Sequence, residues 1–334
     1  MTTDPHPPLR LPLRRLGQSG LAVSAVGLGC NNLGRSGTAS ESQEGADRVV
    51  AAAIDAGITF FDVADTYGAR PGLAEERLGA ALGSQRDQVI VATKFGMDAS
   101  GANGPDDGVR GGRRYIVASV EASLRRLGTD WIDLYQFHTP DVGTPIDETL
   151  SALDDLVRAG KVRYVGHSNR AGWQIAEAEF VARELGCERF ISSQSQYNLI
   201  DRRAELEVVP ACNAYGLGLL PYFPLANGLL TGKYADGTAP AGSRLSRTRQ
   251  HLLETAMSPQ LKRYREFAAG RGVSEVTVAI GWLLAQSPVA SVIAGATRPE
   301  QVVSNAAAAT WVPTLADLAE LDEIFPSPEP IAPF

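Results

Sequence analysis

The chain has 334 residues, of which 44% are hydrophobic, enough apolar material for a large core and a length that suits one α/β barrel or two ordinary domains. A formal charge of -7 and a sequence pI of about 5.3 argue against a nucleic-acid surface. No apolar stretch nears the roughly 20 residues that a membrane span requires, and the first residues lack the basic-then-apolar layout of a signal peptide. Three scattered cysteines, Cys30, Cys187 and Cys212, form no C-x-x-C motif and point to reduced thiols in a cytoplasmic protein.

In chain order, the first expected element is a small hairpin over about 9–23, placed to plug the bottom of a barrel. Apolar runs near 23–28, 58–62, 88–93, 131–137, 162–166, 190–194, 217–222 and 290–294 read as eight buried parallel strands. Helices with legible punctuation lie between most of them. Ser40–Gln43 is a capping-box pattern ahead of a stripe of Ala46, Val49, Val50, Ala53 and Ile54 that stops at Gly57. Another helix opens at Thr144-Pro145, carries Ile146, Leu150, Leu153 and Val157, and stops at Gly160. Residues 97–113, rich in glycine and without periodicity, and residues 232–258 read as long irregular loops of the kind that form functional lids. The basic cluster Arg244–Arg249 within the second loop reads as a solvated excursion. A last amphipathic helix with Leu315, Leu318, Leu321 and Ile324 precedes a proline-rich tail. No repeat and no linker interrupts the pattern, so one α/β domain over 1–334 is expected, a (β/α)8 TIM barrel with an N-terminal hairpin and a C-terminal helix and tail.

Three successive strand runs end at polar, titratable residues: Tyr67 after 58–62, Lys94 after 88–93 and His138 after 131–137. A (β/α)8 barrel builds its active site from such strand ends at one mouth. Asp62 is the expected charge partner of Lys94, and a lysine cation beside Tyr67 is expected to lower the pKa of the phenol and make it a proton donor. Four histidines and three scattered cysteines offer no metal-ligand cluster. The glycine turn Gly27-Leu28-Gly29-Cys30-Asn31-Asn32 has Asn where a dinucleotide fingerprint needs its third glycine. Thr297-Arg298-Pro299-Glu300 reads as a helix start with an adjacent arginine, a good phosphate site.

From the hairpin to about residue 310 the chain resembles the aldo-keto reductase superfamily. The resemblance rests on Phe61-Asp62-Val63-Ala64-Asp65-Thr66-Tyr67-Gly68, Glu75–Gly79, Thr93-Lys94, Asp133–His138, Gly160–Asn169, Gln194–Asn198, Pro221–Lys233 and Ile293–Arg298, in that order and spacing. It implies a barrel that binds NADP(H) without a Rossmann fold and reduces small-molecule aldehydes or ketones. It also implies a catalytic tetrad of Asp62, Tyr67, Lys94 and His138. Cofactor contacts are implied for Gly29, Asn31 and Asp62, with Ser168, Asn169 and Gln194 on the carboxamide and Tyr222 stacked on the ring. Leu225, Asn227, Leu229, Gly232 and Lys233 would line the pyrophosphate. Gly295, Thr297, Arg298, Gln301 and Asn305 would serve the adenosine end. His167 matches no tetrad position and is expected to line the pocket or sit just behind it.

Two other readings fit some of these residues. A nicotinamide-binding regulatory subunit with slow turnover would keep the cofactor set, and a Schiff-base isomerase or aldolase would use Lys94 but leave that set unexplained. The substrate is not legible, and neither is the oligomeric state, for which a monomer is compatible.

Overall fold

Eight short apolar strands form the parallel sheet around which the molecule is built. The computed structural model describes residues 11–240, 243–247 and 249–329. A hairpin of β1 (Leu13–Arg15) and β2 (Ala22–Ser24) comes first. The sheet strands are β3 (Val26–Gly29), β4 (Phe60–Asp62), β5 (Ile90–Phe95), β6 (Ile132–Phe137), β7 (Val162–Ser168), β8 (Ser192–Gln196), β9 (Gly218–Tyr222) and β10 (Val292–Gly295). Their spatial order is β10-β3-β4-β5-β6-β7-β8-β9. The two ends meet at Leu219, whose N–H donates to Pro288 O at 3.0 Å and whose carbonyl accepts from Ala290 N at 2.9 Å. The result is the expected (β/α)8 TIM barrel.

The helices are α1 (Gln43–Asp55), α2 (Leu73–Leu82), α3 (Arg113–Leu127), α4 (Ile146–Arg158), α5 (Gly172–Leu185), α6 (Val208–Tyr215), α7 (Arg244–Arg247), α8 (Leu253–Ala256), α9 (Pro259–Gly270), α10 (Glu275–Ala285), α11 (Pro299–Ala307) and α12 (Leu315–Ile324). Helix α4 shows why they dock: Leu150, Leu153 and Leu156 recur at helical spacing and are all buried. Each such side chain contributes on the order of 1.5–3 kcal/mol when removed from water. The N-cap of α1 is Ser42, which accepts from Gly45 N at 3.1 Å. Ser40, the expected cap, is buried and donates instead to Asn32 O at 2.8 Å.

Strand alternation sorts the side chains into layers. Phe60, Ala92, Leu134 and Leu220 point into the barrel, where Leu16 and Val23 of the hairpin join them in one apolar cluster. The hairpin therefore plugs the barrel bottom. Its turn needs Gly17, at φ +60°, because a Cβ there would lie 2.3 Å from Gly216 O. Two residues further along each strand, on the same face, stand Asp62, Lys94, Gln136 and Tyr222. A polar layer thus rests on an apolar one, toward the strands' C-terminal ends. Outward-facing Phe61, Val91, Tyr135 and Val165 belong to the larger core shared with the helices.

Neither long loop is featureless. The expected excursion 232–258 contains α7 and α8, and it buries Tyr234, Leu245 and Ala256 in the core. Of the basic cluster at 244–249, Thr248 lies outside the described residues. The loop before α3 buries Ala99 and Asn103.

Candidate active site

Lys94 stands on β5 and is fully buried, so its charge must be met inside the barrel. Its Nζ donates to Asp62 Oδ2 at 2.7 Å and to Val63 O at 3.0 Å. The other oxygen of Asp62 accepts from Gln136 Nε2 at 3.1 Å and from Gln194 Nε2 at 2.8 Å. A buried ion pair survives only when its remaining lone pairs are satisfied this way. Tyr67 comes after β4 on a turn that ends at Gly68, where φ is +110°. The Lys94 ammonium sits 5.1 Å from the Tyr67 ring centroid. His138, just past β6, meets the same ring edge-on at 5.9 Å between centroids. The structure thus brings the four expected residues together at one mouth.

The electrostatics differ from the expectation in one respect. The pKa of Tyr67 is raised, because burial outweighs the lowering by the Lys94 charge, with Asp62 and Asp65 adding to the rise. The phenol is therefore a firmly protonated group and not an acidified one. Burial also works against the Lys94 cation, but attraction to Asp62 and Tyr67 prevails and its pKa goes up. His138 is pushed down to about 3, first by burial and then by Lys94. It is a neutral imidazole across the physiological range. An NMR titration of its ring protons is expected to stay flat from about pH 8 to about pH 5, whereas an unperturbed histidine titrates near 6.5. A midpoint near that value would contradict the neutral assignment. Below about 6.5 the unfolded chain takes up a proton that the folded His138 refuses, so this residue costs stability as pH falls toward 3.

The residues expected to hold a cofactor occupy the ends of β3, β7, β8, β9 and β10, a contiguous arc of the sheet that Asp62 on β4 extends by one strand. Ser168 Oγ donates to Gln194 O at 2.7 Å, and Asn169, at φ +58°, donates from Nδ2 to His138 O at 3.0 Å. Tyr222 is half-buried and its hydroxyl donates to Asn169 Oδ1 at 2.8 Å. Gly29 and Gly295 pair in register, and a Cβ on Gly295 would lie 3.4 Å from Asn31 Oδ1. Among the next set, Leu225, Asn227 and Gly232 are half-buried and Lys233 is exposed, while Leu229 buries its side chain in the core. Thr297 N donates to Gln301 Oε1 at 2.8 Å at the start of α11, where Arg298 is an exposed N-cap that makes no side-chain capping bond. Asn305 is buried one turn on from Gln301.

His167 does not line the pocket. It alternates with the inward-facing Gly166 and Ser168 and so points out of the barrel, where its ring meets Phe190 edge-on at 5.2 Å. Neither ring nitrogen has a hydrogen-bond partner among the described residues, and burial holds its pKa well below the usual value. Gln136 is the site residue that sequence reasoning missed. The signal was an amide at an inward-facing position of the apolar run Ile132–Phe137, two residues before His138. Among the described residues no group of three His, Cys, Asp or Glu could hold a metal, and no helix is long and apolar enough to cross a membrane.

The model of the Aldo/keto reductase family matches residues 25–325. An uncharacterized oxidoreductase, YrpG, of Bacillus subtilis (strain 168) is 38% identical, over 94% of this chain and 95% of its own. A probable voltage-gated potassium channel subunit beta of Oryza sativa subsp. japonica is 37% identical, over 90% of this chain and 92% of its own. The L-glyceraldehyde 3-phosphate reductase of Escherichia coli (strain K12) is 36% identical, over 93% of this chain and 91% of its own. With a matching barrel and a match over most of its length, the chain belongs to the aldo/keto reductase family and is an oxidoreductase of that family.

Proposed function

We propose that the protein reduces an aldehyde or ketone to the alcohol with NADPH, Tyr67 acting as general acid. The carrying observation is the fully buried Lys94, paired to Asp62 at 2.7 Å and set beneath the Tyr67–His138 ring contact at the barrel mouth. A bound nicotinamide supplies the hydride, which no side chain can donate. The residues present suit such a group: Ser168, Asn169 and Gln194 offer amide and hydroxyl partners, and α11 opens with an uncapped turn beside Arg298.

The chain's own groups divide the remaining work. Neutral His138 donates a hydrogen bond to the carbonyl oxygen and orients the substrate. Tyr67 delivers its proton to the oxygen as negative charge builds there, and Lys94 stabilises the phenolate left behind. Asp62 keeps Lys94 charged and directed. Because the phenol holds its proton, it is ready to donate at neutral pH, whereas alcohol oxidation would need it deprotonated. The whole chain is read as one such domain.

Arg298→Ala is expected to weaken NADPH about tenfold or more through loss of a charge-assisted phosphate contact, and NADH far less. Titration of intrinsic fluorescence with each cofactor checks this; an unchanged NADPH-to-NADH ratio would move the phosphate site elsewhere. The similarity to the rice channel subunit favours one second reading, a nicotinamide-binding regulatory subunit with slow turnover. Counting turnovers per enzyme separates the two.

A further inference from the structure

Asp65 lies two residues before Tyr67 and is fully buried, yet the proposed proton and hydride transfers give it no part. Its Oδ2 accepts from Asn103 Nδ2 at 2.7 Å, and its Oδ1 has no partner among the described residues. Asn103 belongs to the segment 97–112 that comes after β5 at the mouth and is only 5% exposed. Its Oδ1 accepts from Arg126 at 2.9 Å, and Arg126 also holds Ala102 O at 3.2 Å and Glu75 at 2.6 Å. The far end of the same segment is fixed to the loop after β6. There Gly111 N donates to Asp141 Oδ2 at 2.7 Å, three residues beyond His138.

We propose that Asp65 is a positioning residue: through Asn103 it ties segment 97–112 to the turn carrying Tyr67, while Asp141 ties that segment to the loop carrying His138. The segment then sets the spacing of the two groups and forms a wall of the carbonyl pocket. The proposal rests on the reading of Tyr67 as general acid and His138 as substrate-orienting donor.

The charges around Asp65 say which form it takes. Glu75 on α2 faces it, Arg126 on α3 is already ion-paired to Glu75, and Lys94 on β5 is committed to Asp62. Tyr67, Tyr115 and Tyr135 stand near it as well. Burial first and Glu75 second raise Asp65 to about 8, against smaller lowering by Asn103, Arg126 and Lys94. In the tied state Asp65 is therefore neutral at neutral pH, and asparagine mimics it. Lifting the segment hydrates the carboxyl, which then titrates near its ordinary value of about 4. Between those two values the tied state holds a proton that the lifted state lacks. Rising pH thus favours lifting, by up to about tenfold per unit.

The test compares wild type, Asp65→Asn and Asp65→Ala by tryptic cleavage at Arg110-Gly111 from about pH 6 to about pH 8, normalised to cleavage of the unfolded chain. Wild-type cleavage should rise with pH toward the tenfold-per-unit limit, Asp65→Asn should stay slow and flat, and Asp65→Ala should be fast throughout. In NADPH-linked assays Asp65→Ala should raise KM for the carbonyl about tenfold without changing NADPH affinity, and Asp65→Asn should restore it. Identical cleavage and KM in all three proteins, or an Asn variant that behaves like Ala, would overturn the proposal. Should Asp65→Ala not fold, Asn103→Ala puts the same question from the other side of the bond. Proteolysis needs neither cofactor nor substrate, so its failure is separate from that of the Tyr67 reading, which shows as Tyr67→Phe turning over at the wild-type rate.

Discussion

Tyr67→Phe is expected to slow carbonyl reduction by about 10²–10⁴-fold, the range a positioned general acid supplies, while NADPH binding stays nearly unchanged. The substitution removes one oxygen and keeps the ring that packs edge-on against His138. None of the expected cofactor contacts uses the phenol oxygen, so a binding loss would mean that the fold had shifted. Comparing kcat with NADPH affinity for the two proteins decides it. Turnover equal to wild type would remove Tyr67 as the proton donor.

Lys94→Met is expected to cost both activity and stability. It leaves the Asp62 carboxylate buried with only two amide donors, and breaking such a pair costs about 3–5 kcal/mol. At ~2.1 cal/mol/K per residue, that lowers the melting temperature of a chain this long by about 4–7 °C. Adding Asp62→Asn removes the stranded charge, and the double variant should regain most of the stability and none of the activity. A single variant that melts with wild type would mean that the pair carries no structural weight.

Much of this was legible in the sequence because parallel barrel strands are buried on both faces and announce themselves as continuous apolar runs. Seven of those runs sit within a residue or two of β4–β10, and the first one spans the end of β2 and most of β3. The tetrad was legible because strand ends in a barrel share one mouth. What was not legible depended on direction and environment. His167 lies within an apolar strand, and only the alternation of β7 decides between lining the pocket and sitting behind it. The pKa of Tyr67 is set by how closely the protein surrounds the hydroxyl, which a motif does not encode, so the neighbouring cation alone points the wrong way where burial prevails. Gln136 and Asn103 are amides whose partners lie 74 and 38 residues away, beyond any local pattern.

The most direct measurement is nicotinamide absorbance against time, with purified protein, NADPH and an activated aldehyde such as nitrobenzaldehyde, monitored well past one equivalent of cofactor per chain. Continuous oxidation through many equivalents, faster with NADPH than with NADH, is the result that a carbonyl reductase gives. A bound cofactor that is never oxidised, or that stops at one equivalent, would contradict that account and leave a nicotinamide-sensing protein in its place.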